Sequence, residues 1–513
     1  MTQLQLKNDF SKKVFDYLDL DDRYIQQLVD KPSIKMKDVA VLEVAEFFKS
    51  AHKLMICGDF DADGVTSTAI ASLLAQALNI EYGFYIPDRI KDGYGTSSAT
   101  IKSAHAKGYT HILMVDNGVK AQEAIATAKE LGLKIAIVDH HNQDEPIQVD
   151  AFLHPDCLSD YGESMSAAGL MYIIAEALDL LSPMIQVLGA VGTIADVMPL
   201  WNKNREIVIK ALEVLNSSSI PQVDILVKRT SYTHYTANFL AFNLIPKINS
   251  VGRLSDHGNM NTMVRYFLTQ DMNSIKAYAQ QVMTINDLRK KMTGDMSALA
   301  LASINPLDQA HIITNPDFHE GILGIIANQI LQETGKPSIV FKTLEDGYKG
   351  SSRSSSISLA EMFHSFEPSL FKAFGGHDFA YGLTIQKDAL NDFKHSVNQY
   401  MDSAPEHVSQ EDYISIDASL ITKDALEELN QFEPFGQGFK MPMVKIDMPN
   451  SYSISEINGY GYKFVFNKGS VDEAVLFSKS YDMDQLRQVK SIIGTPSYNS
   501  FRKVSILVDQ LIF

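Results

Sequence analysis

The stretch KLMICGDFDADGVTS, residues 53–67, decides the reading of this chain. Its apolar run, Leu54, Met55, Ile56 and Cys57, has the character of a buried strand, and it ends in three carboxylates, Asp59, Asp61 and Asp63, within five residues. Spaced at period two, the acids would point to one side of an extended backbone leaving that strand. Carboxylates so close repel one another unless protonated or bound to a cation. Two readings stand at this point: a metal site, or a helix cap with extra solvated acids ahead of a helix at 65–78.

Working outward, the runs YGFYIP (82–87), HILMVD (111–116), KIAIVD (134–139) and AFLHP (151–155) alternate with the helical stretches VTSTAIASLLAQAL and AQEAIATAKELG. Near-continuous apolar strands separated by helices indicate a parallel α/β sheet covered on both faces. Ligands in such sheets sit at the carboxyl ends of the strands. There HILMVDNG delivers Asp116, and KIAIVDHH delivers Asp139, His140 and His141. A further acid, Asp196 in GTIADVMPL, lies in an apolar segment where an unpaired charge would be costly.

The chain has 513 residues, too many for one ordinary core, and 45% of them are hydrophobic. A folded protein of two to four domains is expected. Its two cysteines, Cys57 and Cys157, can build neither a disulfide framework nor a cysteine-rich zinc site. The opening MTQLQLKNDFSKK has no apolar stretch of a secretory signal, and no run approaches the roughly 20 apolar residues of a membrane span. A cytoplasmic protein with no membrane partner is the expectation. The formal net charge of −17 speaks against a generally basic, DNA-coating surface, so any nucleic-acid site must concentrate its positive charge locally or borrow it from metal.

Carboxylates with one or two imidazoles and no thiolate favour Mn2+ or Mg2+. This many acids could hold two ions, with Asp116 shared, and two ions suit hydrolysis of a phosphate ester. The series DFDADG, VDNG, VDHH and GTIADVMPL resembles the ordered motifs of the DHH phosphoesterase superfamily, and PKINSVGRL, FHEGILGIIANQI, GSSRS, GGHDFAYG and EPFGQGF resemble the later motifs of the RecJ single-stranded-DNA exonucleases. The resemblance implies that Asp61, Asp63, Asp116, His140 and Asp196 are metal ligands, with Asp59 helping at the same site. It implies that His141 contacts the scissile phosphate and protonates the leaving oxygen, that Asp139 orients a histidine from behind, and that Asp116 is central to catalysis. Arg89 and Arg253 match arginines along the DNA path, while Ser351, Arg353 and His377 match a face that holds the 5′ end of the strand. Read without the resemblance, Arg353 among serines and glycine is either a phosphate clasp or a polar loop.

The expected organisation is a parallel-sheet DHH catalytic domain at 1–271, a long connecting helix at 272–303, a second, smaller α/β domain of DHHA1 type at 304–400, and an OB-fold-like β-barrel at 401–513. Short β-like runs beyond about residue 405 read as an antiparallel barrel or sandwich. In it Tyr460, Tyr462, Phe464 and Phe466 share a strand face, as core or as stacking surface, and Tyr452 is a further aromatic. The chain departs from the family where GQGFKMP follows PFG and where FAYG replaces a commoner pair of alanines. The function expected is 5′–3′ hydrolysis of single-stranded DNA to 5′-mononucleotides in repair, recombination or replication. Its expected form is a monomer, partnered by single-stranded DNA and by a single-strand-binding protein or helicase. The rivals are a phosphodiesterase for short oligonucleotides or cyclic dinucleotides, and a non-catalytic DNA-binding scaffold, which the retained acids and histidines argue against.

Overall fold

Five apolar runs become five strands of one sheet: β1 Lys53–Cys57, β2 Glu81–Tyr85, β3 His111–Val115, β4 Lys134–Val138 and β5 Ala151–Leu153. The computed structural model describes residues 4–93, 95–143, 145–159, 161–403, 412–457, 461–478, 481–499 and 502–513. The strands are all parallel in the order β2-β1-β3-β4-β5, and β3 at the centre is buried along its whole length. The strand order reverses between β1 and β3, so the loops leaving these two strands part to opposite sides and open a crevice at their carboxyl ends. The helix Ala62–Ala77 follows β1 and packs against the helices Ala167–Ala177 and Pro183–Ala195. Its alanines, serines and threonines are almost all buried, and small side chains permit that close approach.

A second sheet is formed by β6 His311–Asn315, β7 Ser338–Thr343, β8 Gly347–Arg353, β9 Phe371–His377 and β10 Ala380–Gln386, in the order β6-β7-β8-β10-β9. Only β6 and β7 pair in parallel; the other pairings are antiparallel. The helix anticipated at 272–303 runs from Met272 to Ala302 without a break, because Gly294 is its one weak point and no proline interrupts it.

The C-terminal strands are β11 Tyr413–Ser415, β12 Met443–Asp447, β13 Tyr452–Ile457, β14 Gly461–Phe466, β15 Glu473–Leu476, β16 Ser491–Tyr498 and β17 Val504–Ile512. They join as β11-β12-β16-β17-β15-β14-β13. The sheet is mixed where an antiparallel one was expected, since β11 pairs with β12 and β15 with β17 in parallel. Phe464 and Phe466 are buried in its core and Tyr462 packs against that core, whereas Tyr460 lies outside the described residues.

The residues pack into two compact units, one of Met1–Tyr85, Gly95–Ile245 and Glu411–Phe513, the other of Ile86–Tyr94 and Pro246–Gln410. Within the first unit, Trp201 donates from Nε1 to the Gly438 carbonyl at 2.9 Å, and the buried Arg205 donates to the carbonyls of Phe432 and Pro434 at 2.6 and 3.0 Å. These bonds fasten the helix Asn202–Ser217 to the segment that leads into the C-terminal strands. Among the described residues no helix is long and apolar enough to cross a membrane.

Candidate metal centre and substrate face

The acids after β1 both cap a helix and form a cluster. Asp61 is the N-cap of the helix Ala62–Ala77, its Oδ1 accepting the Gly64 N–H at 3.0 Å. Asp63 is buried in the first turn, and its two oxygens accept N–H groups from Ala167 and Ala168 at 2.7 and 2.9 Å. The N-terminus of the helix Ala167–Ala177 thus holds the carboxylate, a favourable partner for negative charge. Gly192 makes room for this: a Cβ there would lie 2.3 Å from Asp63 Oδ1 and 2.4 Å from the Ala168 Cβ.

The remaining strand ends converge on the same crevice. Asp116 follows β3 with φ of 59°, a left-handed backbone uncommon outside glycine and tolerated by aspartate. His140 Nε2 lies 3.2 Å from Asp116 Oδ1, 3.2 Å from Asp196 Oδ2 and 3.9 Å from Asp63 Oδ2. Three sets of side chains bring ligand atoms within 4.8 Å of one another: Asp59, Asp61 and Asp116; Asp63, His140 and Asp196; and Asp116, His140 and His141. Asp116 and His140 each belong to two of the sets, so the cluster is continuous.

Electrostatics show what these groups lack. Burial and the neighbouring Asp61 push the Asp63 carboxyl up to about 7, and burial with Asp63 and Asp61 pushes Asp196 up to about 8. Asp116 rises for the same two reasons, burial first and the surrounding aspartates next. Burial lowers the His140 imidazole to about 4, leaving it neutral at pH 7 with a lone pair to offer. Crowded, desolvated oxygen donors and a neutral imidazole fit a hard divalent cation, whose charge would relieve the repulsion. His141 is different. Burial alone would depress it, but the Asp139 carboxylate, 2.8 Å from Nδ1, raises it above its ordinary value.

Asp139 stays ionised despite burial because His141 and backbone N–H groups bond it. Its Oδ1 accepts the His140 and His141 N–H groups at 2.8 and 3.2 Å, and its Oδ2 accepts that of Val119 at 3.0 Å. It therefore fixes the backbone of both histidines and the ring of His141. Sequence reasoning missed Asn117, which ties the ends of β1 and β3, Ser166, which caps the helix turn that holds Asp63, and Gly192, which leaves room for that carboxylate. Asn117 and Gly192 stand inside the quoted VDNG and GTIADVMPL segments, and Ser166 precedes an apolar helix as a cap residue does.

In the second unit, strand register gathers the remaining predicted residues. Ser351, Gly382 and Gly375 stand opposite one another across β8, β10 and β9, and two residues along stand Arg353, Ala380 and His377. Period two places both rows on one face, with little beyond glycine and alanine between the polar ends. Arg89, Arg253, Lys349, Ser351 and Arg353 line a cavity of about 350 Å3 here. His377 is exposed at the end of β9 and does not line it. Arg353 donates from Nη1 to Ser351 Oγ at 3.0 Å and to the Ser352 carbonyl at 2.8 Å. Burial, and next the nearby Arg89, lower its guanidinium, as expected where cations crowd. An anion is the natural complement of this face.

Comparison with known proteins agrees with this geometry. The DHH family, N-terminal domain, matches residues 53–193, the DHHA1 domain matches 307–403, and the RecJ OB domain matches 414–508. The single-stranded-DNA-specific exonuclease RecJ of Bacillus subtilis (strain 168) is 31% identical over 431 residues, which cover 79% of this chain and 54% of that protein. The chain thus spans about half the length of that relative. The crystal structure of RecJ in complex with Mn2+ from Thermus thermophilus has a TM-score of 0.81 at 24% identity, covering 98% of this chain and 78% of that one. The crystal structure of exonuclease RecJ bound to manganese has a TM-score of 0.63 at 29% identity, covering 74% of this chain and 98% of that one. A parallel sheet with acids and histidines at its switch point, followed by DHHA1 and RecJ OB domains, defines the class as the DHH superfamily. Within that superfamily the chain belongs to the RecJ-like proteins.

Proposed function

We propose that this chain is a metal-dependent exonuclease that hydrolyses single-stranded DNA in the 5′–3′ direction to 5′-mononucleotides. The observation that carries the proposal is the continuous cluster of ligand sets at the crevice between β1 and β3. The relative in Bacillus subtilis bears the name of such an exonuclease, and related structures hold Mn2+ or Mg2+. In this reading Asp59, Asp61, Asp63, Asp116, His140 and Asp196 hold the cations. Bound Mn2+ or Mg2+ supplies charge neutralisation at the phosphoryl oxygens and acidifies water. His141, whose charged form the Asp139 carboxylate favours against the effect of burial, is the group placed to give a proton to the leaving oxygen. Arg89 and Arg253 line the path of the strand, and Ser351, Arg353 and His377 receive its 5′ end.

The segment 1–271 then carries the chemistry and lends Arg89 and Arg253 to the face built by 304–400. The helix at 272–303 connects, and the OB-like segment 401–513 adds a further single-strand surface. We assign the protein to the cytoplasm as a monomer acting in repair, recombination or replication, with a single-strand-binding protein or helicase delivering its substrate.

The test offers 5′-labelled single-stranded DNA, duplex DNA, RNA and a dinucleotide with Mn2+, Mg2+ or chelator. Mononucleotides are expected from single-stranded DNA with either metal and none in chelator. Undiminished cleavage in chelator refutes the metal reading, and a preference for the dinucleotide refutes the exonuclease.

A further inference from the structure

Three buried polar side chains bridge successive strand gaps along the carboxyl edge of the first sheet. Asn117 Nδ2 donates to the carbonyls of Cys57 and Val115 at 3.0 and 2.8 Å, tying the end of β1 to that of β3. Asp139, past the end of β4, accepts the Val119 N–H and so reaches back to β3. His154 is the first residue past β5, only 5% exposed, and its Nε2 lies 3.1 Å from the carbonyl oxygen of His141. A carbonyl only accepts, so Nε2 carries the proton and Nδ1 takes the N–H of Asp156 at 3.2 Å.

We propose that His154 is a positioning residue for the metal centre, clamping the His140–His141 backbone from the β5 side as Asp139 clamps it from the β3 side. The carbonyl it holds belongs to His141, whose imidazole Asp139 orients and whose chain neighbour His140 meets Asp116 and Asp196. With both sides fixed, the two rings sit 4.6 Å apart at 45° and cannot swing together. Without the His154 bond, the His141 carbonyl would lose this donor, and the tie between the loop and the end of β5 would go with it. Packing does not account for the residue. The ring stacks on Phe152 at 5.9 Å and 8°, a contact that phenylalanine would make as well without the donor. The effect on turnover rests on the function proposed above, whereas the effect on the loop and on metal affinity does not.

The experiment compares the full chain with His154→Phe, which keeps the stack and removes the donor, and His154→Gln, which restores a donor. His154→Phe is expected to lower Mn2+ affinity by about tenfold, the usual size of a loss behind a metal ligand. Amide exchange at His140 and His141 should speed up, and kcat should fall while KM for single-stranded DNA holds. His154→Gln should recover most of the affinity and protection. The inference is overturned if His154→Phe keeps wild-type Mn2+ affinity and exchange, or if His154→Gln is as impaired as His154→Phe. Changed affinity and exchange in a protein that cleaves no DNA would leave the clamp standing and refute the exonuclease instead.

Discussion

An alanine at position 192 would press its Cβ against both Asp63 Oδ1 and the Ala168 methyl group, the carboxylate and the helix turn that holds it. Neither can retreat, because Asp63 is bonded to the backbone of that same turn. We expect Gly192→Ala to destabilise the protein by about 1–3 kcal/mol, the range for overpacking. Mn2+ affinity should fall with it, read by titration of the metal-free protein; unchanged affinity would show that Asp63 is not needed in its present place. The acids that follow β1, β3 and β4 were legible because each comes after an apolar run, so strand direction carries them to one sheet edge, whereas Asp196 arrives at the end of the helix Pro183–Ala195. Gly192 and Ser166 were not legible as supports: their partner Asp63 lies more than a hundred positions away. No local pattern encodes that meeting. His377 was read with Arg353, and register does align them across β10, but reaching the same face did not bring it into the cavity.

The helix Ala167–Ala177 works as an element, since its free N–H groups reach Asp63 only while its first turn is wound. Ser166 Oγ caps that turn by accepting the Gly169 N–H at 3.2 Å. Ser182 does the same for the helix Pro183–Ala195, accepting the Ile185 N–H at 3.3 Å, at the opposite end from Asp196. Both serine-to-alanine changes should cost about 1 kcal/mol of stability, as lost N-caps do. Only Ser166→Ala should weaken Mn2+ binding, so equal binding by the two variants would deny the helix its role. Strand boundaries agreed with the apolar runs to within a residue or two, because in a sheet buried on both faces a strand ends where polarity begins. The mixed pairing of the C-terminal sheet was hidden, since alternation reports which face is buried and not which direction the neighbour runs.

At the scale of the whole molecule, contacts join stretches that lie far apart in sequence. Lys7 and Asn8 donate backbone N–H groups to Glu428 at 2.7 and 3.0 Å, and residues 86–94 pack with 246–410. A linear reading cannot see such joins, though it can see charge. The chain carries 62 acidic and 45 basic residues, so a DNA strand approaches a molecule that repels it overall. A local source of attraction is the cavity in the second unit, which Arg89, Arg253 and Arg353 line. Lys349 adds little, because Glu320 holds its ammonium at 2.8 Å. Three phosphate contacts on a single strand predict a slope of log K against log salt of about −2, at roughly 0.7 per contact. Binding of a short 5′-phosphorylated strand, measured across KCl concentrations in chelator, should give that shallow slope, and Arg353→Ala should flatten it by about 0.7, one contact's share. A slope steeper than about −5 would mean more than seven contacts, and the strand would then be held by a surface much broader than this one cavity.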